Sequence, residues 1–208
     1  MIGALAFASC YVYSPTGSGL VSARSRLLRA LLKDGDERFM IRYAVRVHEQ
    51  ALLPARLSGF FLGGDVLVPV PRSAPKTGGT WVAAELAQAL VQQGLGATTW
   101  PGLRRIRAVR KSATCAPGAR PSVASHYDSF RMEPPAFHAA RVVLIDDVVT
   151  RGRTLLAAAS RVREAIPGAE IRAFALLRTL GRVAGVRTLL QPCRGEIRWV
   201  RGDALRDP

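Results

Sequence analysis

Two adjacent carboxylates follow a run of apolar residues near the middle of the chain. Residues 142–145 read Val-Val-Leu-Ile, which is typical of a strand that is covered on both faces of a sheet. Asp146 and Asp147 come directly after this run. In open α/β sheets ligands bind beyond the carboxyl ends of the strands, so at least one of these acids is expected to meet a ligand there. The sequence therefore predicts acceptors for hydroxyl groups at this edge.

A short segment with two threonines and a glycine lies just beyond the acids. Residues 150–154 read Thr-Arg-Gly-Arg-Thr, and the alanine-rich residues 155–166 are compatible with a helix. Hydroxyl groups, a glycine that permits close approach of the backbone, and the free N–H groups of a helix start together suit a phosphate monoester. With the acid pair, the segment predicts a ribose 5-phosphate group as ligand. The plainer alternative is that Asp146 and Asp147 begin a loop and cap a helix, with Thr154 as an ordinary helical residue.

The residue types that most often bind zinc are scattered along the chain. Cys10, Cys115 and Cys193 are far apart and form no Cys-x-x-Cys pair, and the three histidines are equally dispersed. We therefore expect no zinc site and no disulfide framework. An odd number of distant cysteines suits a reducing cytoplasm, which is where we expect the protein to act.

The chain is strongly basic, with a net charge of +15, and only three of its 30 Lys and Arg residues are lysine. Two interpretations of the arginine excess carry equal weight: guanidinium groups bind phosphate oxygens well, and a genome can prefer arginine throughout. The densest basic segment, residues 104–120, has no acidic residue and contains Pro117 and Gly118. It predicts a mobile basic loop that is strand-like near its start.

Apolar patterns predict one α/β domain with a mostly parallel central sheet flanked by helices. Strands that alternate with helices imply parallel pairing through right-handed crossovers. No apolar stretch approaches the roughly 20 residues that a bilayer-spanning helix needs, so we expect no membrane contact. The patterns place strands at 1–10, 65–71, 141–145, 170–177 and 196–200, and helices at 22–33, 37–57 (interrupted at Pro54), 80–93 and 153–166.

The run from residue 142 to residue 154 resembles the phosphoribosyl-pyrophosphate (PRPP) motif of the type I phosphoribosyltransferases. Within them the chain most resembles the competence protein ComF family, because residues 31–36 are similar to its lysine-containing helix end and residues 68–71 to its strand before the pyrophosphate loop. The resemblance implies a type I phosphoribosyltransferase-like fold, with an N-terminal helical hood at 1–60 and the transferase-like core at 61–208. It also implies Mg²⁺ carried by PRPP near Asp146 and Asp147, with no metal held directly by the protein.

The resemblance also implies roles for individual residues. Asp146 and Asp147 would hold the ribose hydroxyls and are the catalytic candidates, because Asp147 could accept a proton from an incoming nucleophile. Arg72 and Lys76, in the loop after Pro71, would face the pyrophosphate. A closing basic loop would draw its cations from Arg104, Arg105, Arg107, Arg110 and Lys111, with Arg107 and Lys111 nearest the pyrophosphate. The ribose and 5-phosphate segment comprises Asp146, Asp147, Val148, Val149, Thr150, Arg151, Gly152, Arg153 and Thr154.

The chain departs from the ComF pattern in four respects, one of which is that the family's later Arg and Asn positions are not cleanly matched around residues 120–130. It resembles a member without the usual four-cysteine zinc finger. Arg151 stands where the motif usually has a second threonine, and residues 78–82 read Gly-Gly-Thr-Trp-Val where the family shows Arg-Gly-Phe-Asn-Gln. These departures leave the acceptor of the phosphoribosyl group undefined.

Two functions from different classes follow. The first is a phosphoribosyltransferase that binds PRPP or a related ligand with Mg²⁺ and passes the phosphoribosyl group to an unidentified nucleophile. The second is a non-catalytic ComF-like binding module that acts in DNA uptake or DNA processing, in which the pocket senses a nucleotide-like ligand or is vestigial. Its basic surface would engage single-stranded DNA or a DNA-processing protein. The basic segment has few aromatic residues for base stacking, with only Trp100 and Tyr127 beside it. Whether the chain forms a homodimer stays open.

Overall fold

The computed structural model describes residues 1–54, 56–75, 78–110, 120–180 and 186–208 of the 208-residue chain. Within these ranges the chain forms nine strands and five helices. The strands are β1 (Ala4–Tyr13), β2 (Val66–Pro69), β3 (Thr98–Thr99), β4 (Leu103–Arg105), β5 (Phe130–Met132), β6 (Arg141–Val149), β7 (Glu170–Thr179), β8 (Leu190–Val200) and β9 (Asp203–Asp207). The helices are α1 (Leu20–Asp34), α2 (Glu37–Leu52), α3 (Val82–Gln92), α4 (Val123–Ser129) and α5 (Arg153–Ala165).

Seven of the described strands form one sheet, in the order β3-β2-β6-β7-β1-β8-β9. The first five run parallel, whereas β8 is antiparallel to β1 and β9 is antiparallel to β8. The predicted mostly parallel central sheet flanked by helices is therefore confirmed. The antiparallel strands cluster at one edge, and β4 and β5 form a separate two-stranded ribbon.

Helices cover both faces of the sheet, which explains the unbroken apolar run in β6. Val142 and Leu144 pack with α5 on one face, whereas Val143 and Ile145 pack with α2 and α3 on the other. Successive side chains of a strand point to opposite faces, so a strand between two helical layers needs apolar residues at every position. The four residues are each at most 1% exposed.

The first 60 residues contribute directly to the central sheet. β1 lies between β7 and β8, and its residues Phe7 and Cys10 are buried on opposite faces. The predicted boundary at residue 60 therefore does not separate an N-terminal hood from the core sheet. α1 and α2 pack on the face of Ile145 through buried residues such as Leu28 and Val47.

The C-terminal region is more ordered than its pattern predicted. A strand was predicted only at 196–200, whereas β8 begins at Leu190 and continues into a hairpin with β9. Polar and charged residues dominate both strands, so their apolar alternation is weak. The hairpin nevertheless brings Ile197 and Asp203 against the start of α5, as described below.

Candidate functional site

The acid pair lies where β6 loses one of its two neighbours. Ile145 is the last residue that β2 pairs with, opposite Pro69, and its carbonyl accepts the N–H of Val70 at 2.8 Å. β6 continues past this point because β7 pairs with it as far as Val149. The strand is therefore four residues longer than predicted. Asp146 and Asp147 lie inside the β6–β7 ladder but beyond the end of β2, half-buried at the carboxyl edge.

Each carboxylate of the pair accepts a nearby backbone N–H group. Asp146 Oδ1 accepts the N–H of Asp147, and Asp147 Oδ1 accepts the N–H of Val148, both at 2.9 Å. Burial, with the negative charge of Asp147 beside it, raises the pKa of Asp146 well above its ordinary value. The two neighbouring carboxyl groups offer several acceptor oxygens to vicinal hydroxyls.

A buried arginine counteracts part of this effect. Arg105 is 7% exposed, and its positive charge lowers the pKa of Asp146. Its guanidinium stacks on Phe130 at 4.1 Å from the ring centroid, donates from Nε to the carbonyl of Arg72 at 2.5 Å, and donates from Nη1 to Ser129 Oγ at 2.5 Å. Burial lowers the pKa of Arg105 to about 10. Arg105 is therefore a fixed cation beside the acids.

This position confirms that the basic segment is strand-like near its start, because residues 104 and 105 belong to β4. β4 pairs with β5, which places Leu103 and Arg105 inward and Arg104 outward. Arg104 instead forms an exposed ion pair with Glu133 at 3.2 Å. The first part of the basic segment is thus strand, because its alternating residues pack against Phe130 and its neighbours.

The glycine of the predicted phosphate segment has a backbone conformation that side chains rarely adopt. Gly152 immediately precedes α5 and has φ +86°. A Cβ atom there would lie 2.6–2.8 Å from three side-chain carbons of Ile197. No side chain caps the first turn of α5, so its leading N–H groups have no side-chain partner. Such a helix start suits an anion.

The two arginines of the segment bind the C-terminal hairpin. Arg153 donates from Nε and Nη2 to the two carboxylate oxygens of Asp203, each at 2.5 Å, and from Nη1 to the carbonyl of Pro121 at 3.2 Å. Arg151 Nη1 lies 3.4 Å from the same carboxylate. Asp203 thus holds both guanidinium groups of the predicted phosphate segment. The hydrogen bond from Arg153 lowers the pKa of Asp203.

The two threonines contact other parts of the fold. Thr150 is exposed, and its carbonyl accepts the Nε–H of Arg206 at 2.7 Å. Thr154 is half-buried, with Oγ1 3.4 Å from Nε2 of His126. Burial, together with the charges of Arg105 and Arg153, lowers the pKa of His126 to about 4. His126 is therefore neutral near pH 7.

The valines between the acids and the loop pack in or against the hydrophobic core. Val149 is 2% exposed and Val148 is half-buried, and they pack on opposite faces of the sheet. Their side chains position the loop by packing, and only their backbones lie along the predicted site.

The predicted pyrophosphate residues are spread more widely. Arg72 donates to the carbonyls of Thr80 at 3.3 Å and Gly78 at 2.9 Å, so it holds its own loop. Arg107 is exposed and donates to the carbonyl of Asp128 at 2.8 Å. Lys76 and Lys111 lie outside the described residues. Arg72 is connected to the acid pair through Arg105.

The described ranges contain no cluster of three His, Cys, Asp or Glu side chains that could hold a metal ion. None of the helices in these ranges is long and apolar enough to span a bilayer.

Long-range contacts bring residues to this edge that local patterns did not identify. Arg105 was predicted only as a loop cation, and His126 only as a dispersed histidine. Asp203, Arg178 and Arg206 lie 24 or more positions after Thr154 in the sequence, and no spacing connects them to the motif. Their place near the loop depends on β7 and on the β8–β9 hairpin.

Comparison with known proteins gave a likeness to solved structures only. No protein-family model matches the chain, and no curated protein sequence matches it. Among solved structures, the chain is similar to a hypoxanthine phosphoribosyltransferase from Staphylococcus aureus, with 12% sequence identity and a TM-score of 0.38. The match covers 74% of this chain and 70% of that one.

Proposed function

We propose that the chain binds PRPP, or a related ribose 5-phosphate ligand, and transfers the phosphoribosyl group to a nucleophile. One observation carries the proposal: Asp146 and Asp147 lie at the carboxyl edge of a central parallel strand and lead directly into Gly152 and the uncapped start of α5. The acids suit vicinal hydroxyls, and the loop with the helix start suits a phosphate. The resemblance of residues 142–154 to the PRPP motif of the type I phosphoribosyltransferases adds to this proposal.

The chemistry demands little more than positioning and charge. Displacement at the anomeric carbon develops positive charge on the sugar ring and negative charge on the departing pyrophosphate, so cations near the leaving group lower the barrier. Arg105 acts on that side as a positioning residue, since it binds the carbonyl of Arg72 and so fixes the start of the loop after β2. Mg²⁺ that arrives with PRPP would neutralise pyrophosphate charge, and the carboxylate oxygens of Asp146 and Asp147 fit such an ion.

The acid pair also has a role for the incoming nucleophile. A carboxylate with a raised pKa is closer to the range in which it can exchange a proton near neutral pH. Asp146 has such a pKa because it is buried beside Asp147. We assign the two acids jointly to ribose binding and to accepting the proton of the nucleophile.

Ligand titration of the purified protein tests the proposal. PRPP with Mg²⁺ should raise the unfolding temperature and bind with a Kd in the micromolar range, and the double variant Asp146→Asn with Asp147→Asn should lose both effects. Asp34→Asn is the matched control, because it removes an acid at the exposed end of α1. Unchanged unfolding temperature and no heat of binding in the unmodified protein would contradict the proposal. Turnover is then measured as pyrophosphate release with ammonia, nitrogenous bases and water as acceptors.

The second candidate is a binding module for single-stranded DNA, favoured by the net charge of +15 and by exposed arginines. Affinity should then fall steeply with salt, because phosphate contacts release counterions. The aromatic residues near the basic segment are engaged within the fold: Trp100 donates to the carbonyl of Glu133, and Arg161 lies 3.6 Å over the ring of Tyr127. We therefore rank this function below the first. No binding at low salt would exclude it.

A further inference from the structure

Two arginines meet beside the predicted phosphate loop without an acidic partner. Arg178 is the penultimate residue of β7 and is 4% exposed. Its guanidinium donates to the carbonyl oxygen of Gln191 at 2.5 Å and to Oε1 of the same residue at 2.8 Å. It also donates to Ser9 Oγ at 3.4 Å. Arg206 of β9 is half-buried and donates to the carbonyls of Thr150 at 2.7 Å and Thr179 at 2.5 Å. Because Thr179 follows Arg178 directly, the two side chains lie at the same strand end.

Neither guanidinium is neutralised. All 15 acidic residues of the chain fall within the described ranges, and none of them forms an ion pair with Arg178 or Arg206. In addition, Nε of Arg178 and Nη1 of Arg206 are buried without a hydrogen-bond partner among these residues. A buried charge without a counterion is costly, and an unmade hydrogen bond adds to that cost. Native proteins keep few such groups, and each calls for an explanation such as an ordered water, an ion or a ligand.

The pair lies near the carboxyl ends of the central strands, where open α/β sheets bind their ligands. Arg178 lies opposite Val149 in the β6–β7 ladder, and Arg206 binds the carbonyl of the next residue, Thr150. The pair therefore borders the carboxyl edge of the two central strands on which the acid pair and the phosphate loop are built. The carbonyl oxygens that accept from both arginines offset part of this charge by their dipoles but carry no net charge, so the pair keeps its positive charge for a further group.

We infer that Arg178 and Arg206 form an oxyanion site for the phosphate or carboxylate group of a small ligand. Planar guanidinium groups bind such oxyanions through paired N–H donors, so one anion would satisfy both unpaired nitrogens and neutralise the repulsion between the arginines. The two nitrogens are sealed from solvent, so an anion reaches them only if the half-buried Arg206 side chain moves. The site stands independently of the proposed function. If that function holds, the anion is either the acidic group of the acceptor or the 5-phosphate itself.

Thermal unfolding at constant ionic strength tests the site, with sodium phosphate or sodium acetate replacing sodium chloride. One of these oxyanions should raise the unfolding temperature of the full chain by about 3 °C or more, with a saturating dose dependence. Arg206→Gln should lose the rise, whereas Arg24→Gln, which removes an exposed arginine of α1, should keep it. Arg178→Lys replaces Arg206→Gln if that variant shows no cooperative unfolding.

The remaining arms identify the source of the anion and separate this site from the proposed function. The unfolding temperature is also measured with ribose 5-phosphate and the oxyanion together. If the two ligands compete, the site binds the 5-phosphate. If their stabilising effects add, the site binds the anionic group of a second ligand. The Asp146→Asn and Asp147→Asn double variant should keep its oxyanion response even if PRPP fails to bind to the unmodified protein. No response in the unmodified protein, or an equal response in Arg206→Gln, would overturn the site.

Discussion

The guanidinium of Arg153 is bound by both carboxylate oxygens of Asp203, each at 2.5 Å, although 50 positions separate the two residues. Arg153 begins α5, and Asp203 begins β9. This paired contact therefore connects the predicted phosphate loop to the C-terminal hairpin. A bidentate pair of this kind is geometrically specific, so it sets the distance between the loop and the hairpin as well as adding attraction.

Removing the Asp203 carboxylate should loosen that connection. We expect Asp203→Asn to lower the free energy of unfolding by about 1 kcal/mol near pH 7, since the Asp203 side chain is still 35% exposed and solvent screens the pair. Because its pKa is lowered in the folded protein, the contribution of Asp203 is present above its ordinary pKa and disappears as the pH falls through the lowered value. Urea unfolding at pH 7 and pH 3 measures both effects. Asp207→Asn on the same strand is the control, because the Asp207 side chain is 63% exposed and its pair with Arg198 should contribute little.

Gly152 should tolerate no side chain. The Gly152→Ala variant combines a left-handed backbone with a Cβ atom 2.6 Å from Ile197, so we expect a loss of about 2 to 4 kcal/mol in unfolding free energy. Gly94→Ala separates the two causes, since Gly94 has φ +74° but no atom within 4 Å of its Cβ position. That control should lose only about 1 kcal/mol. Equal losses at the two glycines, measured by urea unfolding, would show that Ile197 does not crowd Gly152.

The half-buried Asp146 should destabilise the fold as it ionises. Its pKa is raised in the folded protein, so its favourable contribution is complete at acid pH and is lost as the pH rises through that raised value. Asp146→Asn keeps an acceptor for the N–H of Asp147 but cannot ionise. We expect the variant to gain stability relative to the unmodified protein as the pH rises above the ordinary carboxyl range, by about 1.4 kcal/mol for each unit by which the pKa is raised. A stability difference that does not change with pH would contradict this assignment.

His126 should make the protein less stable as the pH falls, whereas Asp146 makes it less stable as the pH rises. With a pKa near 4 in the fold and an ordinary value of 6.5, it stays neutral while the unfolded chain takes up a proton. Stability from this residue is therefore complete above pH 6.5 and falls by about 3 kcal/mol on going to pH 4. The His126→Leu variant should lack this dependence, so the difference between the two proteins should shrink or reverse as the pH falls. Comparing the proteins at each pH removes the contribution of Asp146, which both share.

Local patterns were sufficient where one element contains the whole signal. The apolar run of β6 and the alanine-rich α5 were predicted within a few residues, because burial on both faces demands apolar residues at every position of that strand. The acid pair and Gly152 were identified for the same reason, since they lie between these two elements. The extra length of β6 was missed because pairing with β7, and not the side chains of residues 146–149, extends it.

The sequence by itself determined the α/β class, the carboxyl-edge position of Asp146 and Asp147, and the turn into α5. Only the tertiary structure decided which charges meet there: Arg105 beside Asp146, Asp203 on Arg151 and Arg153, and Arg178 with Arg206 beside Thr150. The physical reason is the distance along the sequence over which each kind of interaction acts. A strand or a helix start is specified by neighbours a few residues apart, whereas the partner of a charged side chain depends on which distant strands the core brings to the same edge.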